Sequence, residues 1–166
     1  MAPRDAARGV LLVHGGVEAA VSWAEKGVLP VSVVPQDGGW TAVVPAGPSS
    51  AAKRPYDDAV TVLLNRTVPH RLRPALGVGV VGRRAVLAVT PGAWRAVRRW
   101  LVWQPFHGVV HPGGLPIARL ADVVGAAGVE DPAAVGELAD VLHDPAGEAS
   151  AVAREMLEVL GLPGSP

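Results

Sequence analysis

At 166 residues, 49% hydrophobic and 18% charged, the chain is too apolar to be intrinsically disordered, and it is long enough for one domain, or two very small ones, to hold a core without a metal or disulfide. It contains no cysteine, which excludes disulfides, thiolate metal sites, iron–sulfur clusters and cysteine nucleophiles. Formal net charge is zero, no apolar run approaches the ~18 residues needed to span a bilayer, and no cleavage pattern follows the short run Val10–Val13, so a cytoplasmic location with no membrane partner is expected.

Residues 9–14 (Gly-Val-Leu-Leu-Val-His) read as a short strand, broken by Gly15-Gly16. Val17, Ala20, Val21 and Ala24 then recur at helical spacing as far as Lys26, with Gly27 as a cap. Val31–Val34 and Trp40–Val44 flank Pro35-Gln36-Asp37-Gly38-Gly39, which is turn chemistry, and predict a hairpin. Residues 45–53 read as a loop. A helix is predicted from about Pro55, with Asp57 and Asp58 in its first turn, where the dipole favours negative charge. Its apolar face is Tyr56, Ala59, Val60, Leu63 and Leu64, opposite Asp57, Thr61 and Asn65.

A second hairpin follows, Leu76–Val81 and Ala85–Thr90, joined by Gly82-Arg83-Arg84. Thr90-Pro91 has the form of a helix start, threonine as N-cap and proline at the first helical position, so a helix is expected to about Trp103 with Pro105 barring its continuation. The segments Thr41–Ala46 and Leu87–Gly92 share Ala-Val-x-Pro at an offset of 46 residues, which suggests a duplicated ββα unit. Two such units would give a four-stranded antiparallel sheet with helices on one face. Residues 107–116 are irregular. Three helices are then expected, at about 117–127, 132–143 and 147–160, the last burying Val152, Met156, Val159 and Leu160. The predicted fold is therefore α+β, with an α+β domain over 1–115 and an acidic helical region over 116–166 packed on it.

Charge is unevenly placed. Residues 53–119 hold eleven basic side chains against Asp57 and Asp58, a balance of +9; residues 120–166 hold Arg154 against nine acids, a balance of −8. On the expected helix over 91–103, Arg95, Arg98 and Arg99 form a stripe bordered by Trp94 and Trp103, at spacings that suit stacking of guanidinium on indole. Arg83 and Arg84 at the hairpin tip, with Arg71 and Arg73, would extend this face. Three readings follow. The acidic helices neutralise the basic face within the molecule; the face meets an acidic protein surface, on another copy or another protein; or it meets nucleic acid, with arginines on phosphates and tryptophans on bases. Only two of the fifteen basic residues are lysines, and Ala, Val, Gly, Pro and Arg dominate throughout, which GC-rich coding alone explains.

Catalytic signals are sparse. His14-Gly15-Gly16 after a Val/Leu strand resembles the oxyanion-loop segment of α/β-hydrolases, but no G-x-S-x-G nucleophile turn accompanies it. The same turn could hold an anion at a helix N-terminus, yet it lacks the spaced glycines of a dinucleotide loop and the Gly-Lys-Ser/Thr of a phosphate loop. His107 and His111 have the i,i+4 spacing of zinc pairs, but Gly108 lies between them and Pro112 follows, against a helix. Asp57 and Asp58 are adjacent and so point about 100° apart on a helix, which does not suit paired acid–base work. The expectation is a non-catalytic interaction or regulatory module with no cofactor, metal or small-molecule ligand identified. It would present Arg83, Arg84, Arg95, Arg98, Arg99, Trp94 and Trp103 to an acidic protein partner; the alternative is a nucleic-acid-binding protein using the same residues.

Overall fold

The computed structural model describes residues 8–47, 58–144 and 147–163. Among the described residues seven strands form one sheet: β1 (Arg8–His14), β2 (Val31–Pro35), β3 (Trp40–Pro45), β4 (Ala75–Val81), β5 (Arg84–Thr90), β6 (Arg99–Gln104) and β7 (Gly108–Val110). Their spatial order is β2-β3-β1-β4-β5-β6-β7, and every neighbouring pair is antiparallel. Helices α1 (Val17–Glu25), α2 (Ala59–Asn65), α3 (Leu120–Ala126), α4 (Ala133–Leu142) and α5 (Ala149–Val159) pack on its two faces. The α+β class is as predicted. None of these helices is long and apolar enough to cross a membrane.

Alternation along the strands sorts the two faces, because successive side chains of a strand point to opposite sides. Val10 and Leu12 of β1, Leu76 and Val78 of β4, Leu87 and Val89 of β5, and Leu101 and Trp103 of β6 face one side. They pack against Val123, Leu138, Val152, Met156 and Leu160 of the three C-terminal helices and the turn after them. α5 crosses β4 and β5, with α4 beside it. Leu11 and Val13 of β1 and Val43 of β3 face the other side, under Ala20 and Trp23 of α1 and Ala59 and Leu63 of α2. The helices are thus on both faces, not on one as the sequence suggested.

α2 packs directly on glycines of the strands beneath it. Asp58 caps it by accepting from the Thr61 N–H at 2.8 Å and the Thr61 hydroxyl at 2.5 Å. Tyr56 and Asp57, expected in the first turn, lie outside the described residues. Below Val60, Gly9 and Gly79 lie opposite one another across β1 and β4. A Cβ on Gly79 would fall 2.6 Å from Val60 Cγ1, and one on Gly9 2.8 Å from the same atom. The two glycines thus open a slot that Val60 fills.

Both predicted hairpins are present, as are the N-terminal strand–helix segment and the three C-terminal helices. Of the four apolar residues assigned to the last helix, Val152, Met156 and Leu160 are buried and Val159 is partly buried. The helix expected over 91–103 is absent. Residues 91–98 form turns, and Arg99–Gln104 is β6, hydrogen-bonded to β5 through Val86↔Val102 and Ala88↔Trp100. The reason is that β6 is covered on both sides: Leu101 and Trp103 face α3–α5, while Trp100 faces the α2 side. A strand buried on both faces is a continuous apolar run without alternation, so it imitates a helix face. The first hairpin is followed by α2 and the second by a third strand, so the two units do not share the ββα order. The sheet has seven strands instead of four, one of them the short β7 within the segment expected to be irregular.

Candidate partner-binding surface

The strand at β6 redistributes the basic residues. Arg83 and Arg84 lie at the β4–β5 hairpin tip, whereas Arg95, Arg98 and Arg99 lie at the opposite end of β5, after Thr90. Six residue steps of extended chain separate the two groups, about 20 Å at ~3.3 Å per residue. The continuous stripe expected on a helix is therefore two separate clusters.

At the far end of β5 the arginines divide by role. Arg98 Nη1 donates to the Asn65 carbonyl at 2.7 Å and Nη2 to the Arg66 carbonyl at 2.5 Å, so its guanidinium closes the C-terminus of α2. Burial holds it below the ordinary arginine range, and the nearby Arg73 charge adds to this. Arg73 donates from Nε to the Val68 carbonyl at 2.9 Å and from Nη1 towards the carbonyls of Ala93 and Trp94 at 3.4 and 3.3 Å, which pins the 91–98 turns to the segment before β4. Arg66 closes α1 in the same manner, donating to the carbonyls of Trp23 and Ala24 while its guanidinium lies 3.9 Å from the Trp23 ring centroid. Burial also lowers its pKa. Neither Arg66 nor its cap was singled out by the sequence, because nothing local links Arg66 to residues more than forty positions earlier.

What remains outward is Trp94 with its neighbours. Trp94 is 75% exposed and meets His70 edge-on, ring centroids 5.1 Å apart. Arg71, Arg95 and Arg99 are exposed around this end of the sheet. Trp103 is not part of such a surface. It is wholly buried against α4, with its indole N–H donating to the Leu142 carbonyl at 3.1 Å, so it cannot touch a partner in this fold. Trp100 is the indole that meets an arginine of the stripe, Arg98, at 5.8 Å.

The C-terminal helices do not lie across the Arg98 guanidinium. They pack on the Leu87 and Leu101 side of the sheet, and the hydrogen bonds of Arg98 and Arg73 go to main-chain carbonyls on the α2 side. At the hairpin tip the acidic region does come near: Arg8, Arg83, Phe106 and Glu148 line one cleft of about 420 Å³.

The remaining candidates stay apart. Gly15 is closely packed: a Cβ there would lie 2.7 Å from Leu72 Cδ2 and 3.2 Å from the Arg71 carbonyl oxygen. His107 Nδ1 lies 3.1 Å from the Pro105 carbonyl oxygen, and His143 Nδ1 lies 2.6 Å from that of Ala139. Among the described residues no three His, Asp or Glu side chains gather as a metal site. Comparison with protein-family models, with curated proteins and with solved structures returns no match for this chain.

Proposed function

We propose that the protein is a non-catalytic interaction or regulatory module that presents the Trp94 end of its sheet to an acidic partner protein. The observation that carries this reading is the exposure of Trp94 among Arg71, Arg95 and Arg99. An exposed indole offers a large apolar area to bury on binding, and the cations around it select an acidic cover. Hot-spot residues at interfaces are enriched in tryptophan and arginine, which this end supplies together. Arg83 and Arg84 form a second, separate contact at the hairpin tip.

The test is retention of a partner from the native host on the immobilised protein. A specific acidic protein should be held at low salt, released as salt rises, and lost by the triple variant R71E/R95E/R99E and by Trp94→Ala. A nucleic acid in its place, removed by nuclease, would favour the second reading, for which an exposed indole beside guanidinium groups is equally suited. Unchanged retention by both variants would remove this surface from either reading.

A further inference from the structure

α2 covers β1 and β4 and reaches β5 and β6 only along its edge, where Val60 and Leu64 meet Ala88 and Trp100. There an open groove of about 380 Å³ runs between α2 and the 111–115 segment. Its floor is Val86 of β5 with Trp100 and Val102 of β6, and Leu64 of α2 forms one wall. The opposite wall is held in place by main-chain bonds beyond it: the Trp100 N–H donates to the Pro116 carbonyl and the Ala118 N–H to the Trp100 carbonyl, each at 2.8 Å. The two walls are therefore tied to the sheet, one by the glycine slot under α2 and one by these bonds.

Three properties define what would fit. The floor is apolar, and the volume lies in the range of small-molecule sites. The apolar strip it offers is thin: Trp100 and Val102 keep only 7% and 8% of their surface exposed, so a single extended chain covers what they show. The ionisable groups lining the groove are Arg84, at the hairpin-tip end of β5, and His111, with no carboxylate among the lining residues. A slender apolar body with one anionic head satisfies all three.

We propose that this groove binds an unbranched aliphatic carboxylate of medium chain length, its head on the Arg84 guanidinium and its chain along Val86, Trp100 and Val102. Arg84 offers a carboxylate paired N–H donors, and the chain leaves water against the apolar floor. The site is distinct from the Trp94 surface and does not depend on it, though it shares Arg84 with the hairpin-tip contact. It lies on the opposite side of the sheet from α3–α5, so it is not the Arg83–Glu148 cleft.

Decanoate and decanol are the probes, titrated against the full chain with binding read by calorimetry and by tryptophan emission. Saturable one-to-one binding of decanoate is expected, with decanol weaker. Arg84→Gln should weaken decanoate about tenfold, about one pairing's worth of affinity, and leave decanol within about a factor of two. Leu115→Asp, on a wall residue that is 44% exposed and so tolerant of change, should abolish binding of both while leaving the melting temperature unchanged. Absence of saturable decanoate binding, decanoate and decanol binding alike with no effect of Arg84→Gln, or full binding to Leu115→Asp would each overturn the proposal.

Discussion

Arg98 donates to the main-chain carbonyl of Arg66, and the guanidinium of Arg66 donates in turn to the carbonyls of Trp23 and Ala24. Two helix C-termini, α2 and α1, are thereby closed in series by side chains from later in the chain. A guanidinium is suited to this because it stays charged even when its pKa is lowered and offers several donors from one rigid fork. Hydrogen bonds from a charged donor contribute more than neutral ones. Arg98→Ala should therefore cost about 1–3 kcal/mol of stability in chemical denaturation. Arg95→Ala, an exposed change three residues earlier, should stay within about 0.5 kcal/mol of wild type. Equal effects at the two positions would contradict the division of the arginines into closing and outward groups.

The slot beneath Val60 makes a second prediction. Gly79→Ala places a methyl group 2.6 Å from Val60 Cγ1 and 3.1 Å from the Arg8 carbonyl oxygen, and a β-branched side chain on a short helix has little room to yield. The variant should lose about 1–3 kcal/mol. Val60→Ala removes the atom in conflict, so the double variant should be more stable than the sum of the single changes predicts, by about 1 kcal/mol in a double-mutant cycle. Additive losses would place the strain elsewhere.

Tryptophan emission offers a third. Trp23, Trp40, Trp100 and Trp103 are all buried, and Trp94 is the fifth. Iodide should quench the Trp94 contribution and leave the rest nearly untouched, so Trp94→Phe should remove most of the quenchable emission without lowering stability. Quenching that survives this substitution would mean that a second indole is reached by solvent.

Trp103 provides the contrast. Trp103→Phe keeps a ring in the core but leaves the Leu142 carbonyl at the end of α4 without its donor. A loss of about 1–3 kcal/mol is expected, since a buried acceptor is left unsatisfied and a cavity opens beside it. A melting temperature equal to that of wild type would show that the bond contributes little.

The hairpins were legible because their turns demand particular residues. Gly38 and Gly39 in the first turn and Gly82 in the second have φ of +73°, +82° and +61°, where a side chain would be strained. The C-terminal helices were legible because one side of each faces solvent and the other the sheet, which leaves a 3.6-residue rhythm. β6 was not, because Trp100-Leu101-Val102-Trp103 is apolar on both faces and carries no rhythm. Its aromatic and β-branched composition and its length of six residues were the signals for a strand. The apparent arginine stripe came from winding Arg95 and Arg98, which lie in the irregular segment before β6, onto the same wheel as Arg99 and the strand after it. Trp94 is exposed on that irregular segment, whereas Trp103 lies in the core.

The order β2-β3-β1-β4-β5-β6-β7 divides the labour of assembly unequally. From β4 to β7 each strand pairs with the one just made, so this half can zip together from near neighbours with little loop entropy to overcome. β1 is different: it lies between β3 and β4, with Val13 opposite both Thr41 and Ala75. Its two flanks come from distant stretches of chain, and the Gly9–Gly79 slot for Val60 does not exist until β4 has paired with β1. The centre of the sheet thus rests on long-range pairing buried on both faces, and amide protons there should report the global opening of the molecule, while those of the three-residue β7 exchange through local fraying.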